Sequence, residues 1–284
     1  MLLEFVPYSG DYSVSIRLES PFPSEEVNVL KYDISLKFFI KDGQVYAEVI
    51  KSDMLFDNEE VHDAFNDILL ITAKAVDKII VRLDKSGKAI GFTNLPEILE
   101  KRKASRLTVE SIYEGDVVKE YLNSMEENLV SSEVAWKALG KNLFYTLFFC
   151  GLYKEYGMSK TIDDVLLMND LLPLQAINIP VRKTFSENRE IGENTIQMEN
   201  SLDDLLLEPA SIDLLKTKFP DDPIPEVAFV KINASWSLTP QGKITQAQMT
   251  AQVNIEKIFS KQMQIEVNEK LSKYSKNDSW KSQN

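Results

Sequence analysis

Histidine and cysteine are nearly missing from this chain: among 284 residues there is one of each, His62 and Cys150. A zinc site needs several such ligands, and a serine or cysteine nucleophile needs a histidine base with an orienting partner. His62 follows Glu59 and Glu60 and precedes Asp63, on the polar side of a helical pattern, which reads as a surface histidine. Cys150 stands among Phe148, Phe149, Leu152 and Tyr153. Apolar burial raises a thiol's pKa and makes it inert, so Cys150 reads as a core filler. A lone cysteine cannot form an internal disulfide, and nothing indicates an oxidising compartment. Phosphate-binding glycine loops are missing too. The nearest candidate, KSGKAIGF, holds Gly87 and Gly91 inside a hairpin, with too few carboxylates for an EF-hand loop. No run approaches the roughly 20 apolar residues of a spanning helix. The opening MLLEFVPYSG has no basic segment and places Glu4 early, so no secretory signal is read and a cytoplasmic location is expected. The expectation is a protein without catalytic residues, cofactor or metal, and not an enzyme.

What is present is acid. Forty-four Asp and Glu against 32 Lys and Arg give a formal charge of −12. Such a surface repels phosphate backbones and anionic lipid headgroups, which excludes nucleic-acid partners and permits a protein partner. Paired carboxylates could hydrolyse glycosides or hold magnesium. Of the four pairs, Glu59-Glu60, Asp163-Asp164 and Asp203-Asp204 are read in first turns of helices, where the macrodipole favours them. Asp221-Asp222 falls in a turn. Lys101, Arg102, Lys103 and Arg106 are read as the solvated face of a mixed-charge helix.

Strict alternation is the clearest pattern. Val230, Ile232, Ala234, Trp236 and Leu238 share one face; after the turn TPQGK, Ala247 to Ile255 and then Met263 to Val267 repeat it. Period-2 patterning means antiparallel strands with one buried and one wet face, so residues 228–271 read as a three-stranded meander. Tyr12 to Leu18 and YDISLKFFI (32–40) alternate likewise; KDGQ returns the chain into VYAEVI, and IIVRLDKSGKAIGF turns at Ser86-Gly87. Helices are expected from a cap at Asn58 to Val76, from Asn94 through EKRKASR, over 114–130, over 131–157 with a break at Gly140, and over 200–219 interrupted at Pro209. Thr161–Asn169 suggests a short helix. LPLQAINIPV, with Pro173 and Pro180, suggests an edge or irregular strand. The fold class expected is α+β: two mainly antiparallel β-meander units separated by a helical central region. They form one domain or two interlocked halves (1–156 and 157–271), followed by a flexible tail, 272–284.

NLFYTLFFCGLY (142–153) is the most apolar stretch. On a helix wheel its apolar residues wrap most of the surface, as for a helix buried between layers. Alternatively Phe144, Tyr145, Phe148, Phe149 and Tyr153 form a partner contact, since aromatics anchor interfaces, or they line a ligand cavity.

In order and spacing, YDISLKFF, VRLDKSGKAIGF, EGDVVKEYL, NLFYTLFF and SLDDLL resemble proteins of Bacteroidota-type bacteria that carry a LysM module and accompany type VI or related contractile secretion systems. No LysM module precedes residue 30, so peptidoglycan attachment is not carried over, and no functional residue transfers. The resemblance implies a non-enzymatic interaction or accessory protein with a protein partner. Two alternatives stand beside it: a carrier that clasps a hydrophobic ligand between curved sheet and central helix, and an acidic immunity-type protein.

Overall fold

Every long strand of this chain carries one apolar face, and the structure joins those faces into a single surface. The computed structural model describes residues 2–19, 28–56, 64–127, 129–139, 142–172, 175–188, 190, 192–256 and 258–270. Three N-terminal strands, β1 (Ser9–Glu19), β2 (Asn28–Lys41) and β3 (Gln44–Phe56), form a meander. After helix α1 (Ala64–Ala73) and a 3-10 turn (Lys74–Val76), the hairpin β4 (Lys78–Leu83) and β5 (Ala89–Phe92) extends it. Helices α2 (Leu95–Ile112), α3 (Asp116–Glu127), α4 (Ser132–Leu139) and α5 (Leu143–Phe148) follow. The chain then returns to sheet: β6 (Thr161–Leu172), β7 (Gln175–Asn188), β8 (Glu193–Asn200), β9 (Asp204–Leu206), helix α6 (Pro209–Lys218), then β10 (Val227–Leu238), β11 (Ile244–Ile255) and β12 (Phe259–Glu269).

The predicted C-terminal meander is observed as β10, β11 and β12. The expectation of two β units separated by helices is overturned. β1 pairs with β12 from Tyr12↔Glu269 to Glu19↔Gln262, so the meanders are neighbours in one twelve-stranded antiparallel sheet. Its order is β5-β4-β3-β2-β1-β12-β11-β10-β8-β7-β6, with β9 on β10. The cause is a match of faces. Tyr12, Val14 and Ile16 of β1 and Ile265 and Val267 of β12 are all buried on one side, and their registers coincide. α1, α2 and α3 share a small core of Ile68, Val109 and Leu122; α4 packs against β5, while α5 lies against β6, β11 and β12. The sheet coils so far that β6, at one end of the order, comes back against β11.

Several local readings change. Thr161–Asn169 is strand, not helix, and lies within β6. Of 200–219, only Pro209–Lys218 is helical; Asp204–Leu206 is strand. β7 is an interior strand despite Pro180. That residue pairs with Val165 of β6 and lies just past the end of the β7–β8 register at Val181↔Asn200, where its carbonyl accepts from the Ser201 N–H at 2.9 Å and only the missing N–H goes unused. Tight turns behave as expected, with φ of 73°, 78° and 84° at Gly43, Gly87 and Gly242. The Asn58 cap, His62, Glu59-Glu60, Gly140, Pro173 and the 272–284 tail lie outside the described residues.

Between the stretches of β10 paired to β8 and to β9, the ladder is completed by a side chain. Asn200 accepts from the Ile232 N–H (2.8 Å) and donates to the Val230 carbonyl (3.0 Å) and to Asp203 (2.9 Å). Asn200→Ala leaves that N–H and carbonyl without partners. It is expected to lower stability by about 2 kcal/mol in urea denaturation; a loss below about 0.5 kcal/mol would mean that water replaces the amide.

Candidate functional site

The inward side of the coiled sheet needs something to cover it, and residues 142–156 do so. They are not the continuous helix expected. α5 spans only Leu143–Phe148; Asn142 caps it by accepting from the Phe144 N–H at 2.9 Å, and it ends where the Phe149 N–H donates to the Tyr145 carbonyl. From its last turn onward the backbone carbonyls are claimed by tertiary partners rather than by a further helical turn. The Trp236 indole donates to Leu147 O (3.2 Å), Ala89 N–H to Phe149 O (3.1 Å), and Leu3 N–H to Lys154 O (3.1 Å). Gly151, with φ of 76°, turns the chain where a Cβ would meet Ser86 Oγ at 2.9 Å.

One charged cluster pins this strap. Lys183, 1% exposed, donates to Cys150 O (2.7 Å), Gly151 O (3.0 Å) and Asp164 Oδ2 (2.8 Å). Lys154 reaches the same Asp164 oxygen at 2.7 Å. Burial alone would raise the Asp164 pKa, but hydrogen bonds from Lys154 and Lys183 outweigh it and hold the carboxyl at about 2. The pair Asp163-Asp164 therefore does not decorate a helix start. Asp164 clasps the strap, while Asp163 pairs outside with Arg182 at 2.9 Å. Asp203 and Asp204 likewise lie on or beside β9 rather than at a helix start.

The five aromatics singled out in the sequence are all interior. Phe144, Tyr145, Phe148, Phe149 and Tyr153 are between 0% and 7% exposed. Phe144 stacks on Phe148, Tyr145 on Phe149, and Tyr12 meets Phe148 edge-on. Tyr153 donates to Gly242 O at 2.9 Å and leaves no room for a Cβ at Gly87, which would lie 2.7 Å from its ring. Cys150 is buried and free, and burial pushes its thiol pKa up. The basic helix is mixed as expected at Lys101, Lys103 and Arg106, which pair with Asp77, Glu100, Glu110 and Glu126. Arg102 departs from that reading: it is buried and donates to Thr72 O at 3.4 Å.

The interior is not sealed everywhere. At the seam where β5 and β6 approach each other, a cleft of about 130 Å³ opens between Ala89, Trp136, Tyr145, Phe149 and Leu166. A larger depression of about 480 Å³ lies on the opposite, wet face. Its exposed lining is polar and charged, with Gln197, Asn233, Gln248 and Thr250 beside Arg182, Glu199 and Glu266, while Met198, Met249 and Ile265 of the same strands are buried. The smaller cleft therefore matters more, because it alone of the two reaches the aromatic interior.

Behind Tyr145 stands a residue that the sequence reading passed over. Lys51 of β3 continues the inward series Ala47, Val49 and sits opposite Ile34. Its ammonium lies 5.5 Å from the Tyr32 ring centroid and 5.1 Å from that of Tyr145. Desolvation lowers its pKa to about 8. Tyr32 donates to Asn142 at 3.2 Å, whereas the buried Tyr145 hydroxyl has no hydrogen-bond partner among the described residues. Burial pushes the Tyr145 phenol well above its ordinary value, so it stays a neutral donor. The signal that could have found Lys51 and Lys183 is the same: a lysine in the apolar register of a strand. No group of three or more His, Cys, Asp or Glu is placed to hold a metal among the described residues, nor is any helix among them long and apolar enough to cross a membrane.

No protein-family model matches the sequence, and no curated protein is significantly similar to it. Neither result bears on the LysM-associated resemblance. Among solved structures, one of lipovitellin, described for its lipid–protein interactions, is similar at a TM-score of 0.54 and 9% identity. The match covers 94% of this chain and 26% of that one, so the chain spans about a quarter of lipovitellin's length and the likeness shows the fold alone. A LolA superfamily protein from Nitrosomonas europaea aligns over 95% of this chain and 89% of its own at 6% identity, with a TM-score of 0.23. A DUF1329 family protein from Desulfovibrio piger aligns over 93% and 87% at 9% identity, with a TM-score of 0.18. At those scores neither carries an argument.

The clasp makes a pH prediction. The Asp164 carboxyl titrates lower in the folded chain than its ordinary 3.8, so its stabilisation is complete above about pH 4 and lost as pH falls toward 2. Asp164→Asn leaves the buried Lys183 ammonium with carbonyls alone and is expected to cost about 3 kcal/mol at pH 7. In urea denaturation the gap between wild type and variant should close between about pH 4 and 2; a gap independent of pH would rule the clasp out.

Proposed function

We propose that the protein is a non-enzymatic carrier of a small hydrophobic or amphiphilic ligand, taken up at the β5–β6 seam and held between the coiled sheet and residues 142–156. The observation that carries this reading is the way the interior is filled. A twelve-stranded sheet curls around an apolar space, and its filling is neither a second sheet nor a long helix. It is a short helix with an irregular aromatic tail, held to the sheet mainly at its backbone carbonyls. Such a filling can shift without disturbing the pairing of the twelve strands, at the cost of releasing the Lys183 clasp and the bridges of Cys150 to Lys88 and Glu155 to Leu2. The seam cleft gives access to it through Trp136, Tyr145 and Phe149. The fold shared with lipovitellin, itself described for lipid–protein interactions, adds support at the level of architecture.

The cleft holds only the end of a chain. A longer ligand requires the Tyr145–Phe149 pair to move inward or the strap to slide outward, an order of change seen in many binding proteins. The alternative in which the five aromatics form a protein contact is less favoured, because none of them presents an exposed face.

Titration with a dansyl-labelled undecanoate is expected to saturate at one site per chain and to quench tryptophan emission through Trp136. Ala89→Leu, which fills part of the cleft, is expected to weaken binding at least ten-fold with the urea midpoint unchanged. Absence of saturable binding by the wild type, or equal affinity in the variant, would reject the seam as a ligand site.

A further inference from the structure

We infer that Lys51, with the Tyr145 hydroxyl, is a head-group site that selects single-chain amphiphiles with an anionic head, carboxylate or phosphate, over neutral ones. This deepens the carrier reading and rests on it.

Lys51 occupies a position where β3 calls for an apolar side chain. Ala47 and Val49 precede it on the same face and are fully buried, and its cross-strand partner Ile34 is buried as well. A methionine or leucine there would complete the pattern. The other lysine in an inward register, Lys183, is compensated by a carboxylate and two carbonyls. Lys51 has no carboxylate among the described residues; two tyrosine rings are what surround its ammonium. Cation–π attraction from two rings offsets only part of the cost of desolvating an ammonium. Lys51 is half-buried rather than sealed, so a charge placed in an apolar register keeps a route to solvent or ligand, a pattern that marks binding sites more often than cores.

A second, independent observation points to the same ligand. The Tyr145 hydroxyl, on a residue 2% exposed, finds no partner, and its ring centroid is 5.1 Å from the Lys51 ammonium. An ammonium and a neutral phenol donor together offer an anion two donors and no acceptor that carries charge. Tyr145 also forms part of the wall of the seam cleft. Lys51 does not itself line the cleft but lies behind the Tyr145 ring, so the arrangement suits an amphiphile whose chain enters at the seam and whose anionic head reaches Lys51 once the Tyr145–Phe149 pair has moved inward.

The test compares dodecanoate, dodecyl phosphate, neutral monolauroyl glycerol and inorganic phosphate by calorimetry at pH 7. At least one of the two anionic amphiphiles is expected to bind ten-fold or more tightly than the neutral one, and which of them does so identifies the head group. Lys51→Met should abolish that margin while leaving monolauroyl glycerol affinity within two-fold, and its urea midpoint should equal or exceed that of the wild type. Lys51→Arg should retain the margin. Equal affinity of wild type for anionic and neutral amphiphiles, or a margin that survives in Lys51→Met, overturns the head-group site and leaves the carrier reading standing. Inorganic phosphate binding as tightly as dodecyl phosphate overturns it too, in favour of a free-anion site. Failure of every chain-bearing probe to bind overturns both.

Discussion

The pairing of the first strand with the last governs this structure. Without β1 against β12 there would be two meanders, each with an apolar face to bury separately. With it, all the inward faces line one continuous coiled surface, and a sheet of that width cannot stay flat. It rolls until β6 meets β11, and the space it encloses must then be filled by some part of the chain. Everything distinctive about residues 142–156 follows from that requirement.

Filling a curved space with a strap rather than a layer has a consequence for polar groups. A long helix satisfies its own backbone, whereas an irregular strap brings carbonyls into the interior that need donors. Lys183, Trp236 and backbone N–H groups of the β4–β5 hairpin region and the N-terminal segment supply them. The price is buried charge, and Asp164 compensates it at Lys183. Lys51, half-buried in an inward register, has no carboxylate partner among the described residues and lies against the Tyr32 and Tyr145 rings. Two lysines in inward registers therefore differ: Lys183 is sealed and balanced and holds the strap, whereas Lys51 is unbalanced and partly open.

Much of the sheet was legible in the chain. The alternation from Val230 to Val267 specified strands and their buried side, and glycine at 43, 87 and 242 marked the hairpins, because period and backbone sterics are local properties. Short apolar runs were not legible. DDVLLM in β6 and DDLLL around β9 each put an acidic pair before three or four apolar residues, which suits a helix start and a strand equally. Tertiary pairing made them strands. NLFYTLFFCGLY was read correctly as buried, but its helix was drawn too long for a related reason: apolar on all sides fits a buried helix, and it also fits a strap whose carbonyls are taken by others.

The candidate site was half legible. Its aromatics stand out by composition, whereas Lys51, Lys183 and Arg102 look like ordinary surface charge unless strand or helix register is already known. By itself the sequence determined which side of each strand is apolar, where the hairpins turn, and which chemistries lack the residues they need, since those follow from side-chain identity and spacing alone. Only the tertiary structure decided that the two meanders merge, that residues 142–156 leave the helix at Phe149, and which lysines face inward. Those outcomes depend on contacts between residues as far apart as Tyr12 and Glu269 or Lys183 and Cys150, and no local pattern records how such distant groups share one interior.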